Sequence, residues 1–495
     1  MKKLVLIFSV LFTLSLPAQD KRIPIDTTVV TSNTITVKEK KVNYNAQTGM
    51  QPVFDTNGNI KASLYYTYYY RTDVKNKHKR PLIMSFNGGP GSASVWMHIA
   101  YTGPKVLKID DEGNPIQPYG IKDNPYAVLD VADIVFVNPV NTGYSRPVTK
   151  KDEKVDTKYF FGVNADAKYL ADWLNTFITR NNRWQSPKYI IGESYGGTRV
   201  MQLAYELQSR QWMYLNGVIM VSPADYKLLR TESSEDYAIN FPYFTAAAWY
   251  HKQLPSKLQQ KDLLSILPES ERFAVNELLP ALAKGGYIGE TEKNNIAERM
   301  SFYSGIKKEV ILKHNLEIPK SYFWKELLRN TSGKTIGRLD SRYLGLDRRE
   351  TGIRPDYSPE LVSWLHSFTP AINYYTQNVL KFKTDVKYNM FGPVNPWDFS
   401  KNNARENLRK AMAENPYLHL LVQSGYYDGA TTYSAAKYTM GKIDPSGKMK
   451  HRMFFKGYRS GHMMYLRKVD LEKANNDLRD FIIKTSENIG SARYK

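Results

Sequence analysis

Lys188-Tyr189-Ile190-Ile191-Gly192-Glu193-Ser194-Tyr195-Gly196-Gly197-Thr198 is the stretch on which the fold of this chain turns. Lys188 to Ile191 reads as a buried strand, and from about Thr198 to Ser209 the pattern is helical. Between them stands Gly192-Glu193-Ser194-Tyr195-Gly196, a G-x-S-x-G sequence. A serine hydroxyl is presented at the top of a sheet where a strand turns sharply into a helix, and the residues two before and two after it must be small, because their side chains would collide across the turn. Gly192 and Gly196 meet that demand, so Ser194 reads as a nucleophile.

The same alternation extends to both sides. Upstream, Ala62 to Thr72 reads as a strand whose tyrosines, Tyr65 to Tyr70, give it aromatic faces. Pro81 to Phe86 is a second strand, running into Asn87-Gly88-Gly89-Pro90-Gly91, and Ala132 to Val137 a third, running into Asn138-Pro139-Val140-Asn141-Thr142-Gly143-Tyr144-Ser145. Asn164 to Asn181 has apolar residues at helical spacing. Downstream, strands at Leu215 to Val221, Leu418 to Gln423 and Met453 to Lys456 alternate with helices from about Thr432 and near Asp470 to Lys484. Strands alternating with helices predict a mainly parallel central sheet with helices on both faces, the α/β-hydrolase fold. Residues 237–373 are charged and helical in pattern, punctuated by Pro255, Pro268, Pro280 and Pro319. They are expected to form a largely helical cap insertion over the carboxyl edge of the sheet, where ligands bind in open α/β folds. The expected organisation is an export signal at 1–18, core at 19–236, cap at 237–373 and core again at 374–495.

Serine at neutral pH needs a histidine base, itself oriented by a carboxylate. In α/β hydrolases the acid and then the base follow the serine along the chain. Of the histidines after the insertion, His419 lies within an apolar strand and His451 just before one. His462 instead falls in the loop after Met453 to Lys456. Asp428 is the one acid in the loop after Leu418 to Gln423. Ser194, Asp428 and His462 are therefore the expected triad. An oxyanion needs backbone donors, expected from the N–H of Tyr195 and from the glycine-rich loop after the second strand. That loop lacks the Lys-Ser/Thr ending of a phosphate loop, which speaks against nucleotide binding.

Lys2 and Lys3 precede an almost wholly apolar run, Leu4 to Leu16, which is too short to span a bilayer and suits a signal cleaved near Ala18. No later run is long and apolar enough to anchor the mature chain in a membrane, so an exported, periplasmic or extracellular protein is expected. The chain has no cysteine, which excludes a cysteine nucleophile and cysteine metal sites and suits a bacterial envelope or secreted enzyme. The net charge of +21 comes from dispersed Lys and Arg without a nucleic-acid motif, so no nucleic-acid partner is expected. The sequence carries no signal for an oligomeric state.

The loop Asn87-Gly88-Gly89-Pro90-Gly91, the stretch Asn138 to Ser145, Gly192 to Gly197, the Asp428 loop and Gly461-His462-Met463 resemble, in this order, the motifs of the serine carboxypeptidase family. The resemblance implies release of C-terminal residues from peptides or proteins through an acyl-enzyme on Ser194, with no cofactor and no metal. An esterase or acyltransferase of the same fold is the alternative. It implies N–H donors at Gly89 and Tyr195, and a cradle for the substrate carboxylate formed by Asn87, Gly88 and Glu193. An ungapped alignment from Asn87 puts Tyr101 where the family has a second glutamate, Ser85 where it has a tryptophan and Ser92 where it has a cysteine. Tyr101 is thus expected to donate to the substrate carboxylate. Glu193, without an acidic neighbour, is expected to ionise more easily and to move the pH optimum toward neutral.

Overall fold

The computed structural model describes residues 23–149 and 154–486, and the expected export signal lies outside them. A sheet of ten strands organises the described residues. It opens with three long antiparallel strands, β1 (Thr27–Val37), β2 (Lys40–Phe54) and β3 (Ile60–Arg71). The other main strands are β4 (Leu82–Phe86), β5 (Asp133–Val137), β6 (Lys188–Glu193), β7 (Gly217–Val221), β8 (His419–Gly425) and β9 (Met453–Tyr458). Arg146–Pro147 adds a two-residue strand against β3. The spatial order is β1-β2-β3-β5-β4-β6-β7-β8-β9. Every neighbouring pair from β5 to β9 is parallel, while β3 meets β5 antiparallel. The mainly parallel sheet is therefore present, with an antiparallel wing that the sequence showed only as a β-rich start.

Successive strand residues point to opposite faces, so each strand feeds two cores. Ile83, Ile134 and Ile191 enter one apolar cluster; Met84, Val135 and Ile190 enter the other. The longer helices are α1 (Val163–Arg180), α2 (Tyr195–Gln211), α3 (Ser234–Tyr250), α4 (Leu263–Phe273), α5 (Glu290–Ser304), α6 (Pro359–Tyr374), α7 (Ala404–Glu414), α8 (Tyr433–Ile443) and α9 (Lys468–Ser486). Leu170 and Phe177 of α1, Leu203 and Leu207 of α2 and Leu408 of α7 cover the Met84 face. Trp364 and Phe368 of α6 and Leu478 and Ile482 of α9 lie on the Ile83 face. The tyrosines of β3 divide in the same way, Tyr65 and Tyr69 to one side and Tyr66 and Tyr68 to the other.

Helices dominate between β7 and β8 and close a third core of their own, in which Phe244 stacks on Phe323 at 4.0 Å between ring centroids. A small cluster of Ala246, Leu263 and Leu267 with Tyr427 and Tyr433 joins these helices to the loop after β8. One feature of the segment carries no periodic signal in the sequence. Thr335–Ile336 pairs with Leu344–Gly345 as a short ribbon, and the residues at its tip, 337–341, reach the cleft. No helix among the described residues is long and apolar enough to cross a membrane.

Candidate active site

β6 ends at Glu193 and α2 begins at Tyr195, so Ser194 alone makes the turn, at φ 61° and ψ −124°. A side chain at positive φ is strained and persists only where its surroundings enforce it. The two glycines permit the turn: a Cβ on Gly192 would lie 2.0 Å from the Gly196 carbonyl oxygen. The loop after β4 presses against the same point. A Cβ on Gly88 would lie 2.6 Å from the backbone nitrogen of Tyr195, so the Gly88-Gly89 backbone runs against the start of α2. First-turn N–H groups of a helix have no acceptor within it, which leaves the Tyr195 N–H available beside this loop.

A buried ion pair fixes the loop. Arg199 on α2 bonds Asp166 of α1 at 2.6 Å and donates to the carbonyls of Asn87 and, at 3.2 Å, Pro90. Sequence reasoning missed both residues. Their signal was a charged side chain on the sheet-facing side of each helix, a costly position unless the charge is paired.

Asp428 and His462 meet across the loops that follow β8 and β9. His462 Nδ1 lies 2.7 Å from Asp428 Oδ2. The second carboxylate oxygen accepts from the N–H groups of Ala430 and Thr431 at 2.9 and 3.0 Å, and the Thr431 hydroxyl donates to Oδ2 at 2.7 Å. Burial opposes the charged imidazole, but the Asp428 carboxylate outweighs it, and the pKa of His462 ends above its ordinary value. The ribbon tip braces both loops. His462 N–H donates to the Leu339 carbonyl at 2.7 Å, Gly429 N–H to that of Arg338 at 3.0 Å, and Ser341 N–H to that of Tyr427 at 3.0 Å. Ser194, His462, Asn87, Gly88, Gly89 and Glu193 all line one cavity of about 530 Å³.

Glu193 lies buried at the edge of this cavity. Asn87 Nδ2 donates to its Oε2, and the Tyr465 hydroxyl stands 2.9 Å from both carboxylate oxygens. Burial pushes its pKa up to about 7, against the lowering influence of His462 and of these two hydrogen bonds. The lack of a second carboxyl at position 101 therefore does not make Glu193 easy to ionise: burial, with a smaller contribution from the Asp428 carboxylate, holds the proton.

Tyr101 is not brought into the cradle. Its hydroxyl donates to Gln423 Oε1 at 2.7 Å and to the Ala474 carbonyl at 3.3 Å, drawn away between β8 and α9. Its ring instead stacks on that of Tyr465, with centroids 4.8 Å apart and planes 7° from parallel. The hydroxyl that meets Glu193 comes instead from Tyr465, three residues beyond His462 in the chain. Ser92 accepts from Trp96 Nε1 at 2.7 Å. Among the described residues no cluster of metal-ligating side chains forms.

A mainly parallel sheet clad on both faces, with a serine on the turn from β6 into α2, is the α/β-hydrolase fold. A solved structure described as Kex1(delta)p, a prohormone-processing carboxypeptidase from Saccharomyces cerevisiae, shares it with a TM-score of 0.52 at 14% identity, over 90% of this chain and 91% of that one. The family model described as serine carboxypeptidase matches residues 38–334, more than half of the chain, and the chain belongs to that family. Serine carboxypeptidase-like 5 of Arabidopsis thaliana is 23% identical over 274 residues, 53% of this chain and 55% of its own length. Serine carboxypeptidase-like 31 of the same plant is 30% identical over 165 residues, 33% of this chain and 30% of its own. The chain thus spans about half or less of the length of these curated relatives. The matched stretch contains Asn87 to Gly89 and Glu193 to Tyr195, and stops short of Asp428 and His462.

Proposed function

We propose that this chain is a serine-type carboxypeptidase that releases C-terminal residues from peptides through an acyl-enzyme on Ser194. The observation that carries this reading is the shared cavity: Ser194 and the Asp428-paired His462 open onto the same space as Asn87 and Glu193. In this scheme His462 Nε2 takes the proton of the Ser194 hydroxyl as Oγ attacks the scissile carbonyl carbon. The N–H groups of Gly89 and Tyr195 hold the resulting oxyanion. As the C–N bond breaks, the imidazolium gives its proton to the departing amine, and the acyl group stays on Ser194. Water, deprotonated by the same imidazole, then cleaves the ester and restores the serine.

The terminal carboxylate of the peptide binds Asn87 Nδ2, the Gly88 N–H and the protonated Glu193. A neutral Glu193 donates a hydrogen bond where an ionised one would repel, so free C-termini bind best below about pH 7. The core segments 19–236 and 374–495 carry this chemistry, and the helical insertion 237–373 walls the cleft. The basic and apolar residues from Lys2 to Leu16 and the absence of cysteine support export to a bacterial periplasm or beyond the cell.

The decisive experiment compares matched peptides with free and amidated C-termini, with mass spectrometry reporting which end shortens. Stepwise loss from the free C-terminus, with most activity gone on amidation, is expected. Equal cleavage of both, or turnover confined to small esters, would assign the triad to the esterase or acyltransferase alternative.

A further inference from the structure

The nucleophile and the Asn87–Glu193 cradle leave one part of the cavity without a task. Two cations from the insertion line it, Lys320 and Arg338. Arg338 is exposed, and its guanidinium makes no hydrogen bond or ion pair with any described residue. Among the described residues Lys320 Nζ hydrogen-bonds only the Ala430 carbonyl, at 3.4 Å, with the Asp236 and Asp428 carboxylates near enough to act on its charge. The acids of the same cavity are occupied. Asp225 pairs with Arg405 at 3.0 Å, and Asp236 accepts from Asn240 Nδ2 at 2.7 Å and from the Glu232 N–H at 3.3 Å. Asp236 and Asp428 act on the Lys320 ammonium, so among the described residues the Arg338 guanidinium is the cation of the cleft left without a partner.

Arg338 is also held in a fixed place. Its carbonyl accepts from the Gly429 N–H at 3.0 Å, and the carbonyl of the next residue accepts from the His462 N–H at 2.7 Å. The guanidinium thus springs from backbone tied to both the acid loop and the base loop. The indoles of Trp324 and Trp364 line the same cavity. A planar fork of donors matches a carboxylate through two parallel hydrogen bonds, which an ammonium group cannot do. The terminal carboxylate of a peptide is already accounted for by Asn87 and Glu193, so the anion that suits Arg338 is a second one.

Resting on the carboxypeptidase reading above, we propose that Arg338, assisted by Lys320, forms an anion subsite that selects peptides with an Asp or Glu side chain in one of the two residues flanking the scissile bond.

The test measures kcat/KM on peptides that differ only by Glu or Gln at the last or the penultimate position. Wild type should favour Glu by about tenfold at one of these positions, as a charged hydrogen bond gives, and the preference should shrink as salt is raised. Arg338→Met should bring the Glu-to-Gln ratio close to one, whereas Arg338→Lys should retain part of it. A wild-type ratio of one or less at both positions would overturn the subsite, as would an unchanged ratio in Arg338→Met. Equal losses on Glu and Gln peptides would also overturn it, assigning the guanidinium to the terminal carboxylate instead. Trimming without an acidic preference removes this inference alone; no trimming of any free C-terminus removes the carboxypeptidase reading and this inference with it.

Discussion

The wall of the cleft that carries Asn87, Glu193 and Ser194 grows from the ends of β4 and β6 and from the helix into which β6 runs. The facing wall, with Asp428 and His462, grows from loops after β8 and β9 and is braced by the ribbon tip 337–341, more than eighty residues away in the chain. The first wall is rigid because adjacent strands and a buried Arg199–Asp166 pair hold it. The second depends on the segment between β7 and β8: three backbone hydrogen bonds join residues 338–341 to the Tyr427-to-Gly429 and His462 segments. One wall therefore presents Ser194 through local geometry, whereas the other presents His462 through a remote brace.

This contrast can be broken from either side. The largest effect should come from the reacting groups themselves. Ser194→Ala should lower kcat by about 10⁶-fold and Asp428→Asn by about 10⁴-fold, with unfolding midpoints close to wild type. Measurable turnover by Ser194→Ala above the uncatalysed rate would move the nucleophile elsewhere.

A smaller effect should follow from loosening the brace without touching a reacting group. A Cβ on Gly461 would lie 2.4 Å from the Cβ of Asp340, so Gly461→Ala should push the ribbon tip off the His462 loop. A displacement on the order of 1 Å should cost kcat on the order of 10²-fold. Slower labelling of Ser194 by a fluorophosphonate should accompany it, and unchanged labelling would show that the insertion does not set the position of the base.

The smallest effect concerns the first wall. Tyr465→Phe removes a hydroxyl that favours the ionised Glu193, so the pKa of Glu193 should rise further above about 7. The alkaline limb of kcat/KM for free C-termini should then move to higher pH, with KM at neutral pH changed by less than about tenfold. Ester substrates, which lack the carboxylate, should show no such shift. A limb that moves downward would mean that Tyr465 keeps Glu193 protonated.

Much of this arrangement was legible from the chain. The β6–Ser194–α2 turn is contiguous, and its two glycines report a steric demand that any observer of the sequence can apply. The alternation of strands and helices, and with it the chain order of Ser194, Asp428 and His462, was equally open to reading. Tyr101 was misplaced because an ungapped alignment fixes position along the chain but not the direction of a side chain. Gln423 on β8 draws that hydroxyl away from the cavity, and Tyr465 arrives from another loop to meet Glu193. Arg199, Asp166 and Arg338 escaped notice for the same reason, since a lone charge in a helix or loop has no local signature of its partner.

By itself the sequence determined the strand–Ser194–helix turn, the mainly parallel sheet and the loops that hold Asp428 and His462. These depend on steric and hydrophobic patterns that repeat over a few residues, such as Gly192 around the turn or the two-faced alternation of β3. Only the tertiary structure decided how firmly Glu193 holds its proton, which tyrosine meets it and which cation stands unpaired in the cleft. Desolvation and ion pairing are set by neighbours that the chain brings together from hundreds of residues apart, and no local pattern encodes them.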